Sequence, residues 1–191
     1  MKIYVVMGKS ATGKDTIYKK LLDSEEVKFK KVISYTTRPI RSGEKNGKEY
    51  NFSTVEEYNA YRENKQIVES RSYNTIHGIW YYYMVNDNQI KKDSNEKYLL
   101  IGTLESYSQI REYYGKDNVV PIYIEIEDGE RLTRALEREK QQVEPKYAEM
   151  CRRFLADSED FSEENLRKNE IEKRYINDTL EECIAEIIQD I

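Results

Sequence analysis

Apolar residues gather into short, dense runs along this chain, separated by longer polar stretches. Lys2 to Met7 (KIYVVM) reads as a short buried strand, and between Lys14 and Leu22 the apolar Ile17, Leu21 and Leu22 fall at helical spacing. VISYTT, residues 32–37, reads as a second strand. From Arg38 to about Asn86 the pattern loosens into turns and aromatics, ending on the strand-like WYYYMV. YLLIG at 98–102 is a buried strand, followed by a helix over Leu104–Tyr114. In VVPIYIEI, Ile122, Ile124 and Ile126 alternate with Tyr123, Glu125 and Glu127, the pattern of a half-buried strand. Asp128 is placed to cap the next helix, which runs to about Gln142, and a further helix covers roughly Lys146–Asp157. RYIN is a last short strand. Thr179 and Glu182 have capping-box spacing, ahead of a helix whose Leu180, Cys183, Ile184, Ile187, Ile188 and Ile191 share one face. Strands alternating with helices predict an α/β fold, with a mostly parallel sheet covered on both sides.

Composition narrows the class. The 191 residues suit a single domain spanning 1–191, with 38 % hydrophobic and 35 % charged residues, polar but foldable. A net charge of −5 with both signs mixed along the chain argues against general nucleic-acid binding. No run reaches the roughly 20 apolar residues that span a bilayer, and the N-terminus lacks a secretory pattern. The expectation is a cytoplasmic protein that engages neither nucleic acid nor membrane. Cys151 and Cys183 lie far apart without metal spacing and read as free thiols. His77 is the only histidine, which argues against a histidine-built zinc site or a Ser-His-Asp triad. The 17 tyrosines read mostly as core and surface filler.

Chemistry concentrates in two loops. Gly8-x4-Gly13-Lys14 sits between a buried strand and a helix. In such a loop the glycines let backbone N–H groups, here through Ser10, Ala11 and Thr12, turn toward phosphate oxygens. The helix N-terminus adds its positive end, and Lys14 reaches the terminal phosphates. This is a nucleoside triphosphate site, with ATP the expected occupant. Where the motif has a hydroxyl that holds Mg²⁺, this chain has Asp15. Two readings stay open: Asp15 ligates Mg²⁺ directly or through water, or Thr16 serves phosphate while Asp15 caps the helix. In the second loop, SYTTRPIRSGEKNGKEYNF at 34–52, Arg38 and Arg41 flank a turn at Pro39. Two guanidinium forks converging there suit a phosphate dianion, with Ser34 and Tyr50 as added hydroxyl donors.

That stretch resembles the nucleoside-monophosphate-binding segment of guanylate kinases, S-x-T-T-R-x-x-R-x-G-E-x-x-G-x-x-Y-x-F, continuously through Phe52. The resemblance extends over nearly the whole chain, strongly in the first third and loosely after residue 70. It implies a P-loop kinase core at 1–33 and 87–191, an acceptor-binding β-rich insertion at 34–86, and a helical lid at about 137–151. It also implies that Glu69, in IVES, reads guanine. Arg131, Arg134 and Arg138 share a helical face opposite Leu132, Ala135 and Leu136, which alone would read as a solvated stripe. The resemblance instead makes Arg134 and Arg138 lid residues. It casts Arg152, in R-x3-A-x2-E, as the arginine brought to the transferring phosphate, with Arg153 its competitor. Asn177-Asp178 resembles the family's V-N-D before the last helix.

Two departures bear on the acceptor. Ile76-His77-Gly78-Ile79 stands where the family has Tyr-Tyr-Gly-Thr/Ser, so His77 replaces a tyrosine and Ile79 a hydroxyl. Thr103 stands near the position of an acid that helps read guanine. The implied activity is phosphorylation of GMP or dGMP by ATP with Mg²⁺. A ribose bisphosphate or another nucleotide as acceptor is the alternative. A non-catalytic phosphate-binding module is a third reading, set against by Lys14.

Overall fold

In the computed structural model all 191 residues are described, and they form two sheets. The first is a five-stranded sheet of β1 (Lys2–Met7), β2 (Phe29–Lys31), β7 (Lys97–Ile101), β8 (Val119–Glu125) and β9 (Tyr175–Ile176), in the order β2-β7-β1-β8-β9. All its pairings are parallel. The continuous apolar run of β1 explains its central place, because side chains alternate across a strand. Ile3, Val5 and Met7 enter one core, with Tyr107 and Ile110 of α3 (Leu104–Tyr114) and Leu166 of α6 (Glu163–Lys168). Tyr4 and Val6 enter the other, with Ile17 and Leu21 of α1 (Lys14–Leu22) and Cys183 and Ile187 of α7 (Leu180–Gln189). Both faces of the sheet are therefore covered, as the alternation of elements predicts.

The second sheet lies within residues 34–86. Its strands are β3 (Tyr35–Thr36), β4 (Asn51–Phe52), β5 (Ile67–Thr75) and β6 (Gly78–Val85), in the order β4-β3-β6-β5. Helix α2 (Val55–Glu63) packs on it through Tyr58, whose ring stacks on Tyr81 with centroids 4.1 Å apart. Tyr83 beside them is fully buried and Tyr35 stacks on it, so these tyrosines build the small core of this sheet rather than filling surface. No helix is long and apolar enough to cross a membrane.

Several expectations need correction. The run 32–37 is not one strand: Phe29–Lys31 pair with β7, whereas Tyr35 and Thr36 pair with β4 and β6. The chain changes sheets at Ile33-Ser34, and that crossing brings Ser34 beside the site. β8 is not half-buried; Tyr123 is as inaccessible as Ile122 and Ile124, because Phe161 stacks over its ring. Helix α4 (Asp128–Lys140) is capped by Glu127, whose carboxylate accepts the Glu130 N–H at 3.0 Å. Asp128 is taken up by Arg131 and Lys9 instead. On α4, Arg131 lies on the inner face with Ala135, and Leu132 faces outward. The reason is α5 (Tyr147–Asp160), whose Phe154 ring lies 3.8 Å beneath the Arg131 guanidinium, a cation–π contact.

Thr179 is the N-cap of α7, but its hydroxyl accepts no bond from the first turn. Its ψ is 122°, against 168° at Thr54 and 172° at Thr103, which both cap α2 and α3 in full capping boxes. That rotation turns the hydroxyl away from the first-turn N–H groups. Thr54→Ala should therefore cost about 1 kcal/mol in urea-unfolding free energy. Thr179→Ala should stay within about 0.5 kcal/mol of the parent. Equal losses would contradict the difference in cap geometry.

Candidate active site

The phosphate loop follows β1 at the carboxyl edge of the parallel sheet, where the strand order reverses around β1. Its glycines are required by close approach. A Cβ on Gly8 would lie 2.5 Å from the Ile124 carbonyl oxygen, and one on Gly13 would lie 2.3 Å from Asn177 Nδ2. Asn177 is buried, and its Nδ2 donates to the Thr12 carbonyl at 2.7 Å. Thr12 Oγ1 in turn donates to the Lys9 carbonyl at 2.9 Å. The Asn177-Asp178 turn before α7 therefore pins the loop from below. Ala11 adopts a positive φ of 66°, which folds the loop back over the start of α1. Thr16 is exposed on the first turn of α1.

Helix α5 touches the same loop from above. Asp157 Oδ2 accepts the Ser10 N–H at 2.7 Å and lies 3.5 Å from Arg131 Nη1. This contact leaves no trace in the motif spacing.

A cavity of about 780 Å³ brings several expected residues together. Lys14, Ser34, Tyr50, Thr103 and Arg152 all line it. A second cavity of about 570 Å³ shares Ser34 and Tyr50 and adds Asp15 and Glu44. A third, of about 730 Å³, gathers Arg41, Arg138 and Arg153. Arg152 and Arg153 thus open into different cavities, and only Arg152 shares one with Lys14. Arg134 sits at the pinned end of the loop, its Nη2 donating to the Asn177 carbonyl at 3.4 Å and its Nε to Glu130 at 2.9 Å. Asp15 is exposed and lies 3.6 Å from Lys14 Nζ. Helix α1 has no side-chain cap, so Asp15 does not serve as one.

Carboxylates hold the cations. Arg38 is nearly inaccessible, and its Nη1 and Nη2 donate to Glu44 at 2.7 and 2.6 Å. Its guanidinium also lies 5.2 Å from the ring centroids of both Tyr50 and Phe52, so Arg38 backs the cavity wall rather than lining it. Arg152 is forked onto Glu149 at 2.8 and 2.7 Å. The Arg38 hydrogen bonds and the Arg41 N–H pull the Glu44 carboxyl from 4.5 down to about 2. Burial pushes the Tyr50 hydroxyl above its ordinary range, so it stays protonated as a donor.

The base end differs from expectation. Glu69 is 2 % exposed and does not line the cavity. Arg71, which belongs to no sequence motif, covers it. Arg71 Nε donates to Glu69 Oε2 at 3.1 Å and Nη2 to Oε1 at 3.4 Å, while Nη1 donates to Thr103 Oγ1 at 3.4 Å. Burial pushes the Glu69 carboxyl up and the Arg71 charge pulls against it. The alternation Glu69-x-Arg71-x-Tyr73 on a strand was the signal available, since such residues share a face. His77 is exposed in the turn between β5 and β6, stacked over Trp80 at 6.2 Å, and is not a cavity residue.

The depressed Glu44 carboxyl has a pH consequence. A carboxyl whose folded value lies below its unfolded one stabilises fully above the unfolded value, and the effect is lost as pH falls through the folded one. The stability gap between the parent and Glu44→Gln should be widest above pH 4.5 and close as pH falls toward about 2. Urea unfolding at a series of pH values measures it, and a gap independent of pH would exclude the ionised pair as its cause.

The family model described as guanylate kinase matches residues 1–189. A guanylate kinase of Mesomycoplasma hyopneumoniae is 30 % identical over 193 residues, covering 97 % of this chain and 91 % of that relative. One from Porphyromonas gingivalis is 28 % identical over 195 residues, covering 97 % and 94 %. The crystal structure of guanylate kinase from Anaplasma phagocytophilum superposes with a TM-score of 0.66 at 23 % identity, over 98 % of this chain and 82 % of that one. With a family match spanning nearly every residue, the chain belongs to the guanylate kinase family.

Proposed function

We propose that this protein transfers the γ-phosphoryl group of ATP to GMP, giving ADP and GDP. The observation that carries the reading is one cavity lined both by Lys14 of the phosphate loop and by Ser34 and Tyr50 of the acceptor loop. Donor and acceptor phosphates can meet there. Phosphoryl transfer asks mainly for positioning and charge stabilisation. Lys14 and the loop amides other than that of Ser10, which Asp157 holds, bind the donor phosphates. Ser34 and Tyr50 donate hydrogen bonds to the acceptor phosphate, with the positive charge of Arg38 behind Tyr50 and Arg41 in the adjoining cavity. Arg152 approaches the transferring group from α5, while Arg134 and Arg138 of α4 add positive charge on the lid side. The acceptor oxygen is already anionic, so no side-chain base is needed.

Mg²⁺ fits this donor set. It binds typically through one or two carboxylates plus phosphate oxygens, and Asp15 is an exposed carboxylate beside Lys14. When bound, the ion offsets charge on the donor phosphates. Asp15 would hold it, while Thr16 remains free to meet phosphate.

A coupled ADP-release assay with GMP tests the activity. Lys14→Met should abolish turnover while leaving the unfolding midpoint within error. Near-parental activity in that variant would place the ATP site elsewhere. Asp15→Ala should raise the Mg²⁺ concentration needed for half-maximal rate, with Asp15→Ser milder. An unchanged Mg²⁺ titration would remove Asp15 from metal binding.

A further inference from the structure

We propose that Asp157, held by Arg131, is a positioning residue for phosphoryl transfer: it sets the helix that carries Arg152 against the loop that carries Lys14. This rests on the phosphotransferase reading and adds to it two residues that act through others.

Four charged side chains and one backbone amide form a circuit that starts and ends in the phosphate loop. Lys9 Nζ lies 3.5 Å from Asp128 Oδ1, and Arg131 Nε donates to the same oxygen at 2.9 Å. Arg131 Nη1 lies 3.5 Å from Asp157 Oδ2, and that oxygen accepts the Ser10 N–H at 2.7 Å. Lys9 and Ser10 are neighbours in the loop, Asp128 and Arg131 stand at the start of α4, and Asp157 belongs to α5. The circuit therefore fastens both helices that bear the lid arginines to one point on the loop.

Arg131 is the member that solvent does not reach. It is 1 % exposed, with the Phe154 ring under its guanidinium and Ser158 Oγ 3.5 Å from Nη2. Its Nη1 has no hydrogen-bond partner. A buried donor left unpaired is costly, and Asp157 is the acid that faces it. An approach of about 0.7 Å would turn the 3.5 Å contact into a charged hydrogen bond. The circuit thus has a preferred closed form, which gives α5 one setting rather than a range.

The place of Asp157 is not free of cost. A loop amide committed to a carboxylate is lost to phosphate, and a carboxylate beside a triphosphate site is repelled by it. Both effects oppose nucleotide binding, and the placing of Arg152 in the chemical step offsets them. The signature of such a residue is a loss in kcat that runs through Arg152.

The first test is steady-state ADP release from ATP and GMP with the full-length enzyme. Asp157→Ala should lower kcat by about tenfold or more, with KM for ATP and for GMP each within roughly threefold of the parent, because a misplaced group is felt in the transition state. In an Arg152→Met background the same substitution should cost no more than about a further twofold, since residues that act as a unit are not additive. Asp157→Asn still accepts the Ser10 N–H but presents no charge to Arg131. It should show the same pattern with a smaller fall, and it carries the test if the alanine variant does not fold.

The second test needs no turnover. Trp80 is the one tryptophan of the chain and lines the same cavity as Arg152, while Cys151 is exposed and Cys183 is buried. Energy transfer from Trp80 to an acceptor dye on Cys151 reports where α5 stands. Asp157→Ala should change the transfer efficiency and broaden its distribution of lifetimes relative to the parent.

The inference is overturned if Asp157→Ala lowers kcat by the same factor with and without Arg152, if it raises KM alone, or if energy transfer is unchanged. A parent that releases no ADP with GMP, but whose energy transfer changes as expected in Asp157→Ala, would overturn the phosphotransferase reading and support the tie between loop and helix.

Discussion

The site depends on how tightly the backbone between Gly8 and Gly13 is pressed against its neighbours. On one side stands the Ile124 carbonyl at the end of β8; on the other, the buried amide of Asn177 grips the Thr12 carbonyl. Neither glycine has room for a methyl group. This packing fixes the loop's backbone, and its Ser10 N–H is already taken up by Asp157, which leaves the amides nearer Lys14 for phosphate oxygens. This constraint ties together distant parts of the chain, since the start of the sequence is held by a turn that comes only ahead of the last helix.

Several cations of the site are already partnered. Arg38 is forked onto Glu44, Arg152 onto Glu149, Arg71 onto Glu69, and Lys14 lies beside Asp15. These pairs are not equivalent. Arg152–Glu149 is exposed, so a phosphate can exchange into it at little cost. Arg38–Glu44 and Arg71–Glu69 are largely shielded, and breaking one would strand a charge away from water. The exposed pair suits an exchanging partner, and the shielded pairs suit fixed geometry.

Much of this was legible in the sequence because it is local. The phosphate loop, its flanking strand and helix, α3 and the acceptor loop are written in contiguous residues, and spacing alone marks them. What was missed is what only packing determines. VISYTT has strand composition throughout, yet no periodicity signals that it divides between two sheets. The Arg131 stripe reads as solvated until Phe154 of α5 arrives beneath it. Thr179 has the right residue type and spacing for a cap but the wrong ψ. Helices α2 and α6 were hidden in stretches whose aromatic or charged content masks helical periodicity. Arg71 belongs to no motif, although strand alternation puts it on one face with Glu69.

The bond between the Ser10 amide and Asp157 gives α5 a fulcrum. Beyond that point toward its N-terminus, the helix is a lever arm. Arg152 lies five residues out, roughly 7.5 Å at the helical rise per residue. Rotation of the arm by about 20° would sweep the arginine backbone through only about 2.6 Å, while the 14-residue helix stays intact and the bond to the phosphate loop holds. A helix held this way trades reach for accuracy: its charged end travels a short arc whose centre is fixed to the Gly8–Gly13 loop.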